Sequence, residues 1–360
     1  MGRALLLVAG LCLGASPVLE AAEAATARQF IPASDARFLY EGRFDFTRRD
    51  APVVVWEGSR ISLDFEGAAL ALRFAGATDQ NFFNAAVDGV NTIVAVPAGG
   101  AARIELPSAG PGWHRLVLFK RSEAATGQAV FSGIEIAPDA AARAPAAPVY
   151  RLRLEFLGDS ISAGACNEDG AEDQWADRRT HNNALSYTAL TAAAFNADYR
   201  CTAVSGMGIA AGWTDVKAGE IWDRVYPKPG SLRADLAGWQ PDVLCINLGE
   251  NDDSFTSRHD QPFPSGYTPA YVALVKTIRA AWPHARIVLL RGGMYGGAKS
   301  ERLRAGWEAA VKELEATDPL VSHFAFTHWT PHHPRVSDDR VMADELTAWL
   351  KQQPFMAPLL

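Results

Sequence analysis

The sequence predicts two domains in series, an all-β sandwich followed by an α/β domain built on a parallel sheet, and three observations predict it. Apolar residues alternate with period two from Arg28 to about Pro138. An Ala- and Pro-rich stretch then interrupts the pattern, and beyond it strand-like runs alternate with helical ones. At 360 residues, 48% of them hydrophobic and 21% charged, the chain is long enough to bury two cores.

Ahead of the sandwich, Arg3 and the apolar run from Ala4 to Ala15 lead into two small-x-small sites, Ala22-Glu23-Ala24 and Ala25-Thr26-Ala27. Residues 1–27 therefore read as a secretory signal peptide, too short to span a membrane, and the chain is expected to be secreted or periplasmic. Cys12 sits in that run without a lipobox-like context, so no membrane anchor is expected. The other three cysteines, Cys166, Cys201 and Cys245, are an odd number and cannot form a complete disulfide framework. No Cys-x-x-Cys pair is present, which argues against structural zinc. A net charge of −7 leaves no basic footprint for nucleic acid.

In the sandwich, residues 28–138, Ile61, Leu63 and Phe65 alternate with Ser62 and Asp64, and Leu70, Leu72 and Phe74 repeat the theme after Glu66-Gly67. Phe83, Ala85 and Val87 run into Asp88-Gly89, a hairpin signal, with Ile93 to Val96 on its far side. Further strands are expected at Arg103 to Leu106, Trp113 to Phe119 and Val130 to Ile136. Nothing in this region resembles an acid, base or nucleophile set. Residues 139–148 read as a linker.

In residues 149–360, strands are expected at Leu152 to Leu157, Tyr199 to Val204, Val243 to Leu248, Ile287 to Leu290 and Phe324 to Thr327. Helices are expected near Asn182 to Phe195, Pro269 to Ala281, Lys299 to Ala316 and Ser337 to Gln352, with Trp282, Trp307 and Trp349 at helical spacing as core residues. This alternation implies a parallel sheet covered on both faces. The polar, Gly-rich segments then fall at the carboxyl ends of its strands, where open α/β sheets bind ligands.

That rim carries the chemistry. Ser160, in Gly158-Asp159-Ser160, offers a hydroxyl that becomes a nucleophile only if a base takes its proton, and the oxyanion that follows needs fixed donors. Ser160 and Gly206 can give backbone N–H groups, Asn251 a side-chain amide, and His333 the base. Asp159 is read as bonding to the local backbone of the turn. Trp213, Tyr295 and Trp329 lie on rim loops as candidate stacking faces for a substrate ring. His328, His332 and His333 lack companion ligands at metal spacing, so no metal is expected, and no cofactor.

Gly158-Asp159-Ser160, Gly206, Gly249-x-Asn251-Asp252 and His333-Pro334 resemble the four blocks of SGNH, or GDSL-type, hydrolases. The longer run Gly158-Asp159-Ser160-Ile161-Ser162-x-Gly164-x-x-Asn167-Glu168, with Lys120-Arg121-Ser122-Glu123 and Gly127 before it, resembles carbohydrate esterase family 2 over nearly the whole chain. The resemblance implies a jelly-roll ahead of a flavodoxin-like SGNH sheet, and a serine esterase removing acetyl groups from polysaccharides or oligosaccharides, as an acetylxylan esterase does. It implies Ser160 as nucleophile, His333 as base, and Ser160, Gly206 and Asn251 as the oxyanion hole. An acetylated carbohydrate is the expected partner, and a monomer the expected state. The family's alternative readings are an SGNH lipase or thioesterase and a non-catalytic carbohydrate-binding protein.

One position departs from the general pattern. SGNH enzymes commonly carry Asp three residues before the histidine, and here Thr330 stands there. The expectation is a Ser-His dyad, with the imidazole held by a backbone carbonyl near Thr330, and with Asp338 and Asp339 charging the start of the next helix. His332 is the alternative base.

Overall fold

The computed structural model describes residues 28–359. Residues 29–143 build two six-stranded sheets, antiparallel throughout. One runs Phe44–Asp45, Val53–Val54, Ala129–Ile136, Leu70–Ala77, Ala102–Glu105, with Gln29–Pro32 also paired to Ala129–Ile136, and the other Ala142–Arg143, Arg60–Glu66, Trp113–Lys120, Asn81–Val87, Val90–Val96, with Leu39–Glu41 also paired to Arg60–Glu66. The alternating residues explain the packing: Ile61, Leu63 and Phe65 of one sheet share a buried cluster with Leu70, Leu72 and Phe74 of the other. The stretch read as a linker is not wholly irregular. Ala142 and Arg143 pair with Phe65 and Asp64, and the Arg143 guanidinium lies over Trp113.

The second domain is a five-stranded parallel sheet of β1 (Arg153–Gly158), β2 (Asp198–Ala203), β3 (Val243–Asn247), β4 (Arg286–Met294) and β5 (Val321–Thr330). Its order, β2-β1-β3-β4-β5, is the flavodoxin-like one. These strands are apolar on both faces because both faces are covered. Phe156, Cys245 and Leu290 pack under α2 (Tyr187–Ala194) and the C-terminal helix, with Tyr187, Met342 and Leu346. Leu157, Leu244 and Ile246 face the other way, toward a helix at Tyr267–Ala281 and another at Glu301–Thr317.

Near β1 and β2 that second face is covered by the sandwich instead of a helix. Val55, Trp56 and Ala124 belong to the same buried cluster as Leu157 and Leu244. Polar contacts lock the junction: Arg43 pairs with Glu155 of β1, and Glu57 accepts the Ala203 N–H at 2.9 Å. Burial pushes the Glu57 carboxyl up to about 8 and the neighbouring Lys120 down to about 7.

Candidate active site

Ser160 begins a single helical turn, α1 (Ser160–Ala163), directly after β1. Asp159 caps that turn by accepting the Ile161 N–H at 3.1 Å, and Gly164 closes it in the left-handed region. Gly158 is required by crowding, since a Cβ there would lie 2.1 Å from Ser162 Oγ. Burial pushes the Asp159 carboxyl up to about 8, with Glu250 and Asp252 adding to the rise. Its other oxygen accepts from Asn251 Nδ2 at 3.0 Å.

Gly206 follows β2 with φ +83°, a conformation that favours glycine, and its carbonyl accepts the Trp213 N–H at 2.9 Å. The loop between them is drawn together by Asp252, whose carboxylate takes the N–H groups of Ile209, Ala210 and Ala211 at 2.7–2.8 Å. Neither the Ser160 N–H nor the Gly206 N–H donates to a described backbone or side-chain acceptor.

Asn251 lies in the first turn of α3 (Glu250–Arg258), a helix the sequence reading did not include. Its amide nitrogen donates to Asp159 and to the Met207 carbonyl, both at 3.0 Å. Asn251 thus ties the serine turn to the Gly206 loop, and its two amide hydrogens already have protein acceptors. Glu250 beside it clamps the N–H groups of Gly296 and Gly297.

His333 follows β5, and its Nε2 lies 2.9 Å from Ser160 Oγ. The expected backbone carbonyl does not hold the ring. His333 Nδ1 instead faces Asp173 Oδ2 at 2.7 Å, and the carboxylate's other oxygen accepts from Arg335 Nη1 at 2.8 Å. Burial of Asp173 works against its charge, but the hydrogen bonds from His333 and Arg335 hold its carboxyl well below the usual carboxylate range. Thr330 is turned away, with its hydroxyl on the His332 carbonyl, and His332 Nδ1 meets the His333 carbonyl rather than Ser160.

Asp338 and Asp339 serve elsewhere. Asp338 caps α4 (Val336–Lys351) by accepting the Arg335 N–H and bonds His328 Nε2, while buried Asp339 holds Asn167 and the Tyr187 N–H. Asp173 escaped the sequence reading because it precedes His333 by 160 residues, in an acidic loop with Glu168, Asp169 and Glu172. The available signal was the cation two residues past His333. Arg335 reaches back to the carbonyls of Cys166, Gly170 and Ala171 and so shapes that loop around Asp173.

The same loop brings Trp175 to within 4.8 Å of the His333 ring, edge to face, an aromatic the sequence reading left out. Trp213 is half exposed, its indole N–H on Ser254 and its ring beside Phe255. Tyr295 and Trp329 stand 6.0 Å apart at the ends of β4 and β5, Tyr295 being 59% exposed. Cys166, Asp173 and His333 place ligand-type atoms within 4.8 Å of one another, a grouping the metal-free expectation overlooked. Within it, His333 Nδ1 and Asp173 Oδ2 are hydrogen-bonded to each other. Cys166, Cys201 and Cys245 are free and buried.

The sandwich reaches this site through the Lys120-Arg121-Ser122-Glu123 block. Fully buried Glu123 accepts the Ser205 N–H at 2.9 Å, one residue before Gly206, and faces His181 Nδ1 at 3.4 Å. Arg121 pairs with Glu168 and holds the carbonyls of Arg179 and His181, on the segment that carries Trp175.

Comparison with known proteins finds matches for both domains. The GDSL-like lipase/acylhydrolase family model matches residues 156–346, and the carbohydrate esterase 2 N-terminal model matches residues 40–148. Cellulase/esterase CelE of Acetivibrio thermocellus is 31% identical over 328 residues, which are 88% of this chain and 39% of CelE. The chain thus spans about two fifths of that relative. An acetylxylan esterase/glucomannan deacetylase of Cellvibrio japonicus is 28% identical over 83% of this chain and 85% of its own length. A family two carbohydrate esterase from Clostridium thermocellum, solved with cellohexaose, superposes with TM-score 0.79 at 29% identity, over 87% of this chain and 98% of that one.

Proposed function

We propose a function from one premise: the chain belongs to the GDSL-like lipase/acylhydrolase family. On our reading it is a serine esterase that removes O-acetyl groups from a polysaccharide or its oligosaccharides. The observation that carries this is the unbroken line from Ser160 Oγ through His333 Nε2 and Nδ1 to the Asp173 carboxylate.

In the proposed mechanism Ser160 Oγ attacks the acetyl carbonyl while His333 Nε2 takes its proton, and the Asp173 carboxylate stabilises the imidazolium. The oxyanion lies against the N–H groups of Ser160 and Gly206. Asn251 adds a third donor by turning one amide hydrogen from Met207 or Asp159 toward it, so the hole is completed on reaction. The sugar hydroxyl leaves with the proton from His333, giving an acetyl-serine. Water, deprotonated by the same imidazole, then releases acetate and restores Ser160. Trp175, next to His333, joins Trp213, Tyr295 and Trp329 as candidate sugar platforms.

The division at residues 138 and 149 is our assignment of two domains, with the first bracing the second through Glu57, Arg43 and Glu123. Export guided by residues 1–27, which lie outside the described residues, and action as a secreted or periplasmic monomer complete the proposal. No helix among the described residues is long and apolar enough to cross a membrane. Acetate release from a panel of acetylated glycans tests the reading. The outcome that removes it is hydrolysis of long-chain acyl esters with no release of acetate from any glycan.

A further inference from the structure

Where the sandwich meets the edge strand β2 and the segment before β3, a cavity of about 390 Å³ opens. Neither Ser160 nor His333 lines it. Its volume falls in the range of small-ligand sites. Phe44, Phe46, Leu232 and Trp239 supply apolar wall, with Phe46 and Leu232 exposed at the surface.

The charged lining is unequal for a protein of net charge −7: three arginines, Arg43, Arg200 and Arg233, against one acid, Asp235. Arg43 is paired with Glu155, and Arg233 with Asp223 at 3.2 Å. Asp235 spends Oδ1 on the Ala237 and Gly238 N–H groups, which leaves Oδ2 as an acceptor. Arg200 differs from all of these. Its guanidinium stacks 4.0 Å from the Trp239 ring centroid, its Nε is buried without a hydrogen-bond partner, and none of its nitrogens makes a described ion pair. Asp198 beside it is taken by the Trp239 indole N–H at 2.6 Å and by Arg60, and Glu155 gives its Oε1 to Arg43 and the Thr202 hydroxyl, its buried Oε2 making no hydrogen bond. Burial lowers the Arg200 guanidinium to about 10, partly offset by Glu155. The Nε of Arg43, itself buried, is likewise unpartnered.

A planar, mostly buried cation with free donors is the group that binds a carboxylate through two parallel hydrogen bonds. The apolar wall beside it suits a ring face, and the Asp235 acceptor suits a hydroxyl. We propose that this recess binds the carboxylate-bearing ring of an acidic sugar, its carboxylate on Arg200 and its ring over Phe46 and Leu232. The site is separate from Ser160, and the inference stands whether or not Ser160 is a nucleophile.

Titration calorimetry on the full chain with methyl β-D-glucuronide and methyl β-D-glucoside tests it. Binding of the glucuronide and not the glucoside is expected, and it should weaken as salt is raised. Arg200→Met should lower the affinity by about tenfold or more, the effect of losing a charge-assisted pair. Leu232→Trp, a surface substitution that fills the recess without touching Arg200, should lower it as well. Ser160→Ala should bind as the wild type does. Equal binding of both glycosides, no binding by the wild type, or binding unchanged in both recess variants would each overturn the proposal and leave the cavity a packing gap between domains.

Discussion

The two halves of the proposed catalytic pair are held in opposite ways. Ser160 is positioned by its own neighbours in sequence: β1 delivers it, Asp159 caps its turn, and Gly158 and Gly164 allow the chain to fold tightly around it. His333 is positioned by residues far from it. Its partner Asp173 sits on an irregular loop whose shape depends on Arg335, on Asn167 bonded to Asp339, and on the sandwich residue Arg121. The proposed nucleophile is a property of a local turn, and the proposed base is a property of the assembled tertiary structure. The first should tolerate changes elsewhere in the molecule, whereas the second should register them.

Substitutions sharpen this contrast, beginning with the largest expected effect. Ser160→Ala should abolish ester hydrolysis with thermal unfolding unchanged, because the proposed mechanism uses the hydroxyl as nucleophile and alanine fits the turn. Asp173→Asn should lower kcat by about 10⁴-fold, since an amide oxygen there neither carries charge nor stabilises the imidazolium. A loss of only a few-fold would return the base to a dyad. Asp338→Asn should stay within a few-fold of wild type, its partners being His328 and the Arg335 N–H.

Asn251→Ala should cost about 100- to 1,000-fold in kcat, the range for one oxyanion donor. Because Asn251 also ties Asp159 to Met207, a stability loss should accompany it, measurable by denaturant titration. An effect on KM alone would make it a binding residue.

The smallest predicted effect concerns pH and stability. Burial pushes Asp339 up to about 8, above its ordinary value near 3.8. The native state then keeps a proton that the unfolded chain has lost, so this group's stabilisation is full below the unfolded value and fades as pH rises toward 8. Asp339→Asn, which cannot ionise, should show a shallower fall in unfolding temperature between pH 5 and pH 8. An identical slope would mean that Asp339 is charged in the fold.

What was readable from the chain follows the same division. The serine turn, the period-two strands and the parallel sheet are written in adjacent residues, so Gly158-Asp159-Ser160 and Ile61, Leu63 and Phe65 were legible. The helix beginning at Glu250 was obscured by its polarity, since Asn251, Asp252 and Asp253 read as a loop yet are buried against neighbouring backbone. Asp173 and Trp175 were illegible for a different reason. No periodicity marks them, and only the long-range bonds of Arg335 and Arg121 bring their loop to His333. Glu123 became interpretable once its bond to Ser205 was seen to connect the sandwich with the Gly206 loop.

The central claim is that Ser160 is a nucleophile activated through His333 by Asp173. The most direct measurement is intact-mass and peptide analysis of the full chain after reaction with an activated organophosphonate, with the labelling rate compared across variants. One adduct, on Ser160, is predicted, forming orders of magnitude more slowly in Asp173→Asn and not at all in His333→Ala. No adduct, an adduct on another residue, or equal labelling rates in wild type and Asp173→Asn would contradict the account.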